Sequence, residues 1–447
     1  MDVTYWCEMV WLPPGEVVES VAIQVEGRRI GEIRPGVPAP AGAVRLAGLT
    51  LPGMADGHSH AFHRALRGHT QTGRGSFWTW REQMYGVAAG LDPDGYLALA
   101  TAAYAEMALA GVTCVGEFHY LHHAPGGVPY ADPNAMGHAL IEAARRAGVR
   151  IALLDTCYLT GGVGDALVGT QLRFGDGDAD RWAARADELA RAYQKDEDVE
   201  IGAAIHSVRA VPPEQMHAVV EFAHRHAAPL HAHVSEQRAE NEACVEAYAA
   251  TPVQLLHERG ALGPRSTAVH ATHLSDVDIA LLGGSTTHVC MCPTTERDLA
   301  DGIGPARRLL DAGSAITLGS DSHAVGDLLE EARAVELDER LATGERGHWR
   351  AAELLHAATA AGHASLGHPD GGCLVPGAWA DLVSVRLDSV RTAGATKDSA
   401  VESVIFAGTA ADVHSVVSGG RRVVADGRHA LGDVGALLRD AIARVRG

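Results

Sequence analysis

The chain has 447 residues, 47% hydrophobic and 21% charged, with 37 Lys and Arg against 56 Asp and Glu for a net charge of −19. That composition belongs to folded globular chains and excludes intrinsic disorder. It also excludes a nucleic-acid footprint, since phosphate binding needs basic stripes and no run of Lys or Arg exceeds a pair.

No apolar run approaches the roughly 20 residues that span a bilayer, and the start lacks a basic segment followed by an apolar one, so a cytoplasmic protein with no membrane partner is expected. Residues 1–48 contain β-like pieces at 20–36 and 43–48, the first reading as a hairpin. From about 50 to 370, short apolar segments alternate with alanine-rich helical patterns, the sign of a parallel α/β architecture. Eight strands are predicted, at 49–57, 113–119, 150–158, 200–207, 229–235, 267–273, 287–293 and 315–321. Helices are predicted at 93–111, 135–148, 179–194 and 213–227. Eight such units predict a TIM-like (β/α)8 barrel over 49–371. The glycine-rich "GGVGDALVG" at 161–169 lacks the Gly-Lys-Ser/Thr ending of a phosphate loop and reads as a mobile connection. Beyond 372 the chain returns to β-like pieces at 379–388, 401–408 and 413–429, then an amphipathic tail helix from 435. Residues 1–48 and 372–447 are expected to form one small β-sandwich with the barrel inserted between them. The seven cysteines are scattered and odd in number, which predicts reduced thiols, Cys290 and Cys292 among them as buried core.

Histidines mark the strand ends. "GHSHAFH" places His58, His60 and His63 after the first strand, where imidazoles at i and i+2 share one face. With 25 histidines in the chain, one close pair carries little weight. The repetition carries more. Glu117, His119 and Tyr120 end the second strand, His206 and Arg209 the fourth, His231, His233 and Glu236 the fifth, His270 and His273 the sixth, and Asp321 and His323 the eighth. Active-site residues of such barrels come from these ends, and the residue types are those of a hydrolytic metal centre.

"GHSH", "HVSE", "VHATH" and "GSDSH" in this order resemble the amidohydrolase superfamily, whose fold is a distorted (β/α)8 barrel joined to a β-sandwich from the chain ends. No lysine that could be carbamylated stands on the fourth strand, where Ile205, His206 and Ser207 lie, so one metal is expected and not two. The His-x-x-Glu at His233 and Glu236 resembles members that deaminate C=N groups. "GHSHAFHRALRGHT", "FWTWREQMY", "GEFHYLHH" and "GSDSHAV" are similar to the formimidoylglutamate deiminase branch, which acts on a small dicarboxylate in histidine degradation. The resemblance implies one Zn²⁺, or Fe²⁺, on His58, His60, His233 and Asp321. It implies catalytic roles for Glu236 as proton donor, His270 and Asp321, and substrate contacts from Arg81, Tyr120, His206, Arg209 and His63. His63 stands where some members carry Gln, and Arg81 is expected on an aromatic loop after the first strand. A homodimer is the default expectation for a soluble oligomer. Two other readings stand beside this one: a mononuclear deaminase of guanine or a related ring, and a metal-free scaffold relative.

Overall fold

The computed structural model describes residues 2–446 and divides the strands between two sheets of eight. The N-terminal segment supplies β1 (Val3–Leu12), β2 (Glu16–Glu26), β3 (Arg29–Arg34) and β4 (Val44–Pro52). The central part supplies β5 (Met54–Ser59), β6 (Val112–His119), β7 (Arg150–Cys157), β8 (Val199–Ile205), β9 (Leu230–Val234), β10 (Ser266–His270), β11 (His288–Met291) and β12 (Ile316–Leu318). These pair in chain order, all parallel. β6 and β7 are buried along their whole length, as strands covered on both faces must be. Helices Pro93–Leu109, Ala135–Ala147, Ala179–Tyr193 and Met216–His226 fall on the four predicted helical segments.

The last segment adds β13 (Leu382–Val385), β14 (Val413–Ser418), β15 (Arg421–Ala425) and β16 (Arg428–His429). Together with the N-terminal strands they form one sheet in the order β16-β15-β14-β13-β4-β1-β2-β3. The sheet folds over on itself: Ile30 N donates to Ala378 O and Ala380 N to Arg28 O, both at 2.9 Å. It thereby encloses its own core of Tyr5, Cys7, Val21, Ile23, Ile30 and Leu382. The buried Arg150–Asp381 ion pair ties β7 to the approach of β13. The tail helix, Val434–Arg446, lies against Pro93–Leu109.

Three expectations need correction. The strand predicted over 49–57 is two strands in different sheets: Gly53 N still donates to Asp381 O beside β13 at 3.0 Å, and Met54 N turns to Gly111 O before β6 at 3.1 Å. Gly53 between them passes so close to β6 that a Cβ would lie 2.3 Å from Thr113 Oγ1. The piece at 401–408 is not a strand but part of helix Ala400–Ala407, whose Val401, Val404 and Ile405 bury one face at i, i+3 and i+4. The aromatic loop that carries Arg81 is a helix, Phe77–Gly90, begun where Thr79 Oγ1 accepts from Ser76 N at 2.9 Å. All seven cysteines are free, six of them buried, Cys290 and Cys292 included.

Candidate active site

Barrel closure and site assembly are one event. β5 and β12 meet through a bridge between Ser59 and Asp321, where Asp321 N donates to His58 O at 2.9 Å and His60 N to Asp321 O at 3.2 Å. Gly319 permits the approach, since a Cβ there would lie 2.8 Å from His58 Cβ. Asp321 adopts φ +44°, and Ser235 and His270 also take positive φ at their strand ends. Non-glycine residues in that region cost about 1–3 kcal/mol each and gather at functional sites.

The side chains converge as the closure demands. His58 Nε2 and His60 Nε2 each lie 3.4 Å from Asp321 Oδ1, and His233 Nε2 lies 3.1 Å from His58 Nε2. The donor atoms of His58, His233, His270 and Asp321 all fall within 4.8 Å of one another, and so do those of His60, His63 and Asp321. Two tautomers are fixed by backbone carbonyls: His60 Nδ1 donates to Phe118 O at 3.0 Å and His233 Nδ1 to His206 O at 2.9 Å. Their Nε2 lone pairs therefore face inward, one at a carboxylate and one at another imidazole. Lone pairs and a carboxylate gathered this way repel unless a cation stands among them, which is the donor set of a Zn²⁺ or Fe²⁺ centre. Burial holds His58 below its usual pKa and His60 and His233 well below it, so the imidazoles are in the neutral, ligating form. Asp321 stays charged although burial opposes it, because His58 and His270 face it.

Further titratable groups stand beside this cluster. Glu236, after β9, is 3.8 Å from His270 Nε2 and 3.9 Å from Arg209 Nη2. Burial raises its carboxyl pKa to about 7, with His270 and Arg209 pulling the other way, which poises it to give or take a proton at neutral pH. Burial works against charge on His270, but Glu236, Asp321 and Glu296 more than offset it and raise its pKa well above the usual value. Glu296 was not singled out in the sequence. It lies 3.5 Å from His270 Nδ1 while accepting from Cys292 N at 2.9 Å. Glu117 buttresses the loop of His60 by accepting from Ala61 N at 2.7 Å and Ser59 Oγ at 2.8 Å.

Above the cluster opens a cleft lined by His63, Arg81, Tyr120, His206, Arg209 and Glu236, so every residue named as a substrate contact faces one space. His63 Nε2 and Tyr120 OH are 3.0 Å apart, and burial lowers the His63 pKa to about 3. Arg81 stacks over the Trp78 ring at 4.5 Å. Tyr158, at the end of the predicted third strand, and Phe174 also stand on the wall, and neither was singled out in the sequence.

A second group of the same residue types lies away from the cleft: His119, His122 and Asp155, donor atoms again within 4.8 Å. Here the carboxylate is already occupied. Asp155 accepts from Arg185 Nη1 at 2.8 Å, Arg185 Nη2 at 2.9 Å and Trp182 Nε1 at 2.8 Å. His122 Nε2 donates to Thr156 O at 2.9 Å, so its hydrogen and not its lone pair faces Asp155, 3.9 Å away. His231 is likewise structural, donating from Nε2 to Ser365 O at 3.1 Å.

Known proteins agree with this geometry. The profile of the Amidohydrolase family matches residues 49–423. The formimidoylglutamate deiminase of Pseudomonas aeruginosa is 37% identical over 412 residues, 90% of each chain. The 8-oxoguanine deaminase of the same organism is 31% identical over 431 residues, 93% of this chain and 92% of that one. Among solved structures, an amidohydrolase from Brucella melitensis matches with TM-score 0.93 at 33% identity, covering 100% of both chains. The atrazine chlorohydrolase of Arthrobacter aurescens, complexed with zinc, matches with TM-score 0.88 at 25% identity, covering 99% of this chain and 100% of that one. No helix among the described residues is long and apolar enough to cross a membrane. Barrel, histidine–aspartate cluster and relatives converge: the chain belongs to the amidohydrolase family and is a hydrolase of its deaminase type.

Proposed function

We propose that the chain hydrolyses N-formimino-L-glutamate to N-formyl-L-glutamate and ammonia. The observation that carries this reading is the pair Arg81 and Arg209 on the wall of the cleft whose floor is the histidine–aspartate cluster. In a chain of net charge −19, a dianion is repelled unless cations stand where its carboxylates rest. Guanidinium also fits a carboxylate with two parallel hydrogen bonds. Tyr120 and His206 add hydrogen bonds at the same wall, and His63 orients the Tyr120 hydroxyl.

One Zn²⁺, or Fe²⁺, would be held by His58, His60, His233 and Asp321. Such an ion supplies Lewis acidity and brings the pKa of water from about 16 to about 7. Asp321 takes the proton that water gives up as its oxygen bonds to the formimino carbon. His270 donates a hydrogen bond to the charge that gathers there. Glu236 passes its proton to the terminal nitrogen and Asp321 returns its own to the same nitrogen; as the carbon–nitrogen bond breaks and ammonia leaves, the hydroxyl hydrogen goes to the emptied Glu236 carboxylate, which leaves a carbonyl and restores both carboxyl groups.

A second reading has its own observation. Phe77, Trp80, Tyr85, Tyr158 and Phe174 line the cleft, a surface on which guanine or a related ring would stack. No Asn or Gln among the described residues lines it to read the ring edge, and the two arginines have no role there. Ammonia release from N-formimino-L-glutamate, N-formimino-L-aspartate, guanine and adenosine separates the two. The glutamate derivative should have the highest kcat/KM; a preference for guanine would reject the reading.

A further inference from the structure

Arg209 enters the cleft from the turn after β8, and a single carboxylate fixes it there. Glu240 lies in the first turn of helix Arg238–Tyr248 and is 1% exposed. Its Oε2 accepts from Arg209 Nε at 2.8 Å, while its Oε1 is buried with no partner. Glu236, four residues earlier and before the helix begins, is 3.9 Å from Arg209 Nη2, too far for a hydrogen bond. The guanidinium is thus gripped through Nε, and neither Nη group makes a hydrogen bond among the described residues. A guanidinium held at Nε keeps its Nη edge free to meet a second carboxylate. Arg81 is held differently, stacked on Trp78 at 4.5 Å and Tyr85 at 5.6 Å, with no carboxylate among the described residues paired to it.

Resting on the reading that a dicarboxylate is the substrate, we propose that Glu240 is a positioning residue: it sets Arg209 so that the Nη edge receives one substrate carboxylate. Its helix places it four residues beyond Glu236, so one short segment carries both the proton donor and the residue that aligns the substrate's charge. Burial alone would disfavour charge on Arg209, and Glu240 then Glu236 hold it firmly cationic.

A pair serving only the fold would, when cut, affect every substrate alike. The test compares N-formimino-L-glutamate with formamidine, which has the reacting group and no carboxylate, in metal-loaded enzyme. Glu240→Ala should raise KM for the glutamate derivative about 10- to 100-fold, with kcat within about threefold and formamidine kcat/KM within about twofold of wild type. Glu240→Gln, which keeps an oxygen acceptor for Arg209 Nε, should recover most of the KM. In an Arg209→Met background, Glu240→Ala should add nothing, since its effect passes through Arg209; this arm also serves if Glu240→Ala alone does not fold, because the double variant leaves no buried cation without its partner. An unchanged KM, an equal fall with both substrates, or an additive loss in the Arg209→Met background would overturn the proposal. Crystal structures keep it distinct from the substrate reading. If Arg209 leaves its position in Glu240→Ala but wild type releases no ammonia from N-formimino-L-glutamate, the substrate reading fails and the positioning holds; an unmoved Arg209 overturns the positioning whatever the substrate.

Discussion

Two buried groups of histidine and aspartate sit in this barrel, and only one is built for a metal. At the closure of β5 on β12, carbonyls of Phe118 and His206 take the Nδ1 hydrogens of His60 and His233, which turns both Nε2 lone pairs toward the same space as Asp321. At His119, His122 and Asp155, the carboxylate is spent on Arg185 and Trp182, and His122 presents a hydrogen. Residue type and proximity are shared. What differs is whether the carboxylate already has its partners and which imidazole nitrogen is turned toward it, and that is decided by backbone carbonyls and by a neighbouring helix.

The sharpest break comes from the ligands. His58→Ala and Asp321→Ala should each lose the metal and several orders of magnitude in kcat/KM, whereas His122→Ala should still bind one equivalent per chain by elemental analysis. If His122→Ala lost the metal and His58→Ala kept it, the two groups would have to exchange roles. Glu236→Gln separates chemistry from coordination: kcat should fall about 10²- to 10⁴-fold with metal content unchanged. Near-normal kcat would remove Glu236 from proton transfer. Arg209→Met and Arg81→Met should each cost about 2–5 kcal/mol in transition-state binding of the dicarboxylate, and far less with formamidine, with zinc content constant. Equal losses on both substrates would argue against a carboxylate clamp.

The smallest effect on turnover belongs to the second group. Asp155→Asn leaves Arg185 with less buried compensation and should lower stability by about 3–5 kcal/mol, while the folded fraction keeps wild-type kcat. Burial opposes charge on Asp155, but Arg185 and His122 hold its pKa below the usual carboxylate value. Its contribution is therefore complete above the unfolded pKa of about 3.9 and is lost as pH falls toward the folded value. Denaturant melts of wild type and Asp155→Asn should differ at pH 7 and converge under strong acid. A gap that persisted there would place the stabilisation elsewhere.

Much of this was legible in the sequence because parallel strands deliver their polar residues to one end. His58, His233, His270 and Asp321 each follow an apolar run, and the barrel brings those ends together. Other features were hidden for definite reasons. "VESVIFA" fits either a strand or a helix period, and packing against the neighbouring helices Leu328–Thr343 and Ala351–His356 decides for the helix. Gly53 divides two sheets within one continuous apolar stretch, which no periodicity marks. Glu240 had a faint signal in its four-residue spacing from Glu236, but its partner Arg209 lies 31 positions away. Tautomers leave no trace in a sequence at all, so His122 could be told from His60 and His233 only by which ring nitrogen meets a carbonyl.

The most direct test is ammonia release from N-formimino-L-glutamate as metal-free protein is titrated with zinc. Activity should rise linearly and break at one equivalent per chain, with no further gain from a second. Activity that is absent at every zinc level, full without zinc, or still rising to two equivalents would contradict a single metal centre at the closure of the barrel acting on a formimino dicarboxylate.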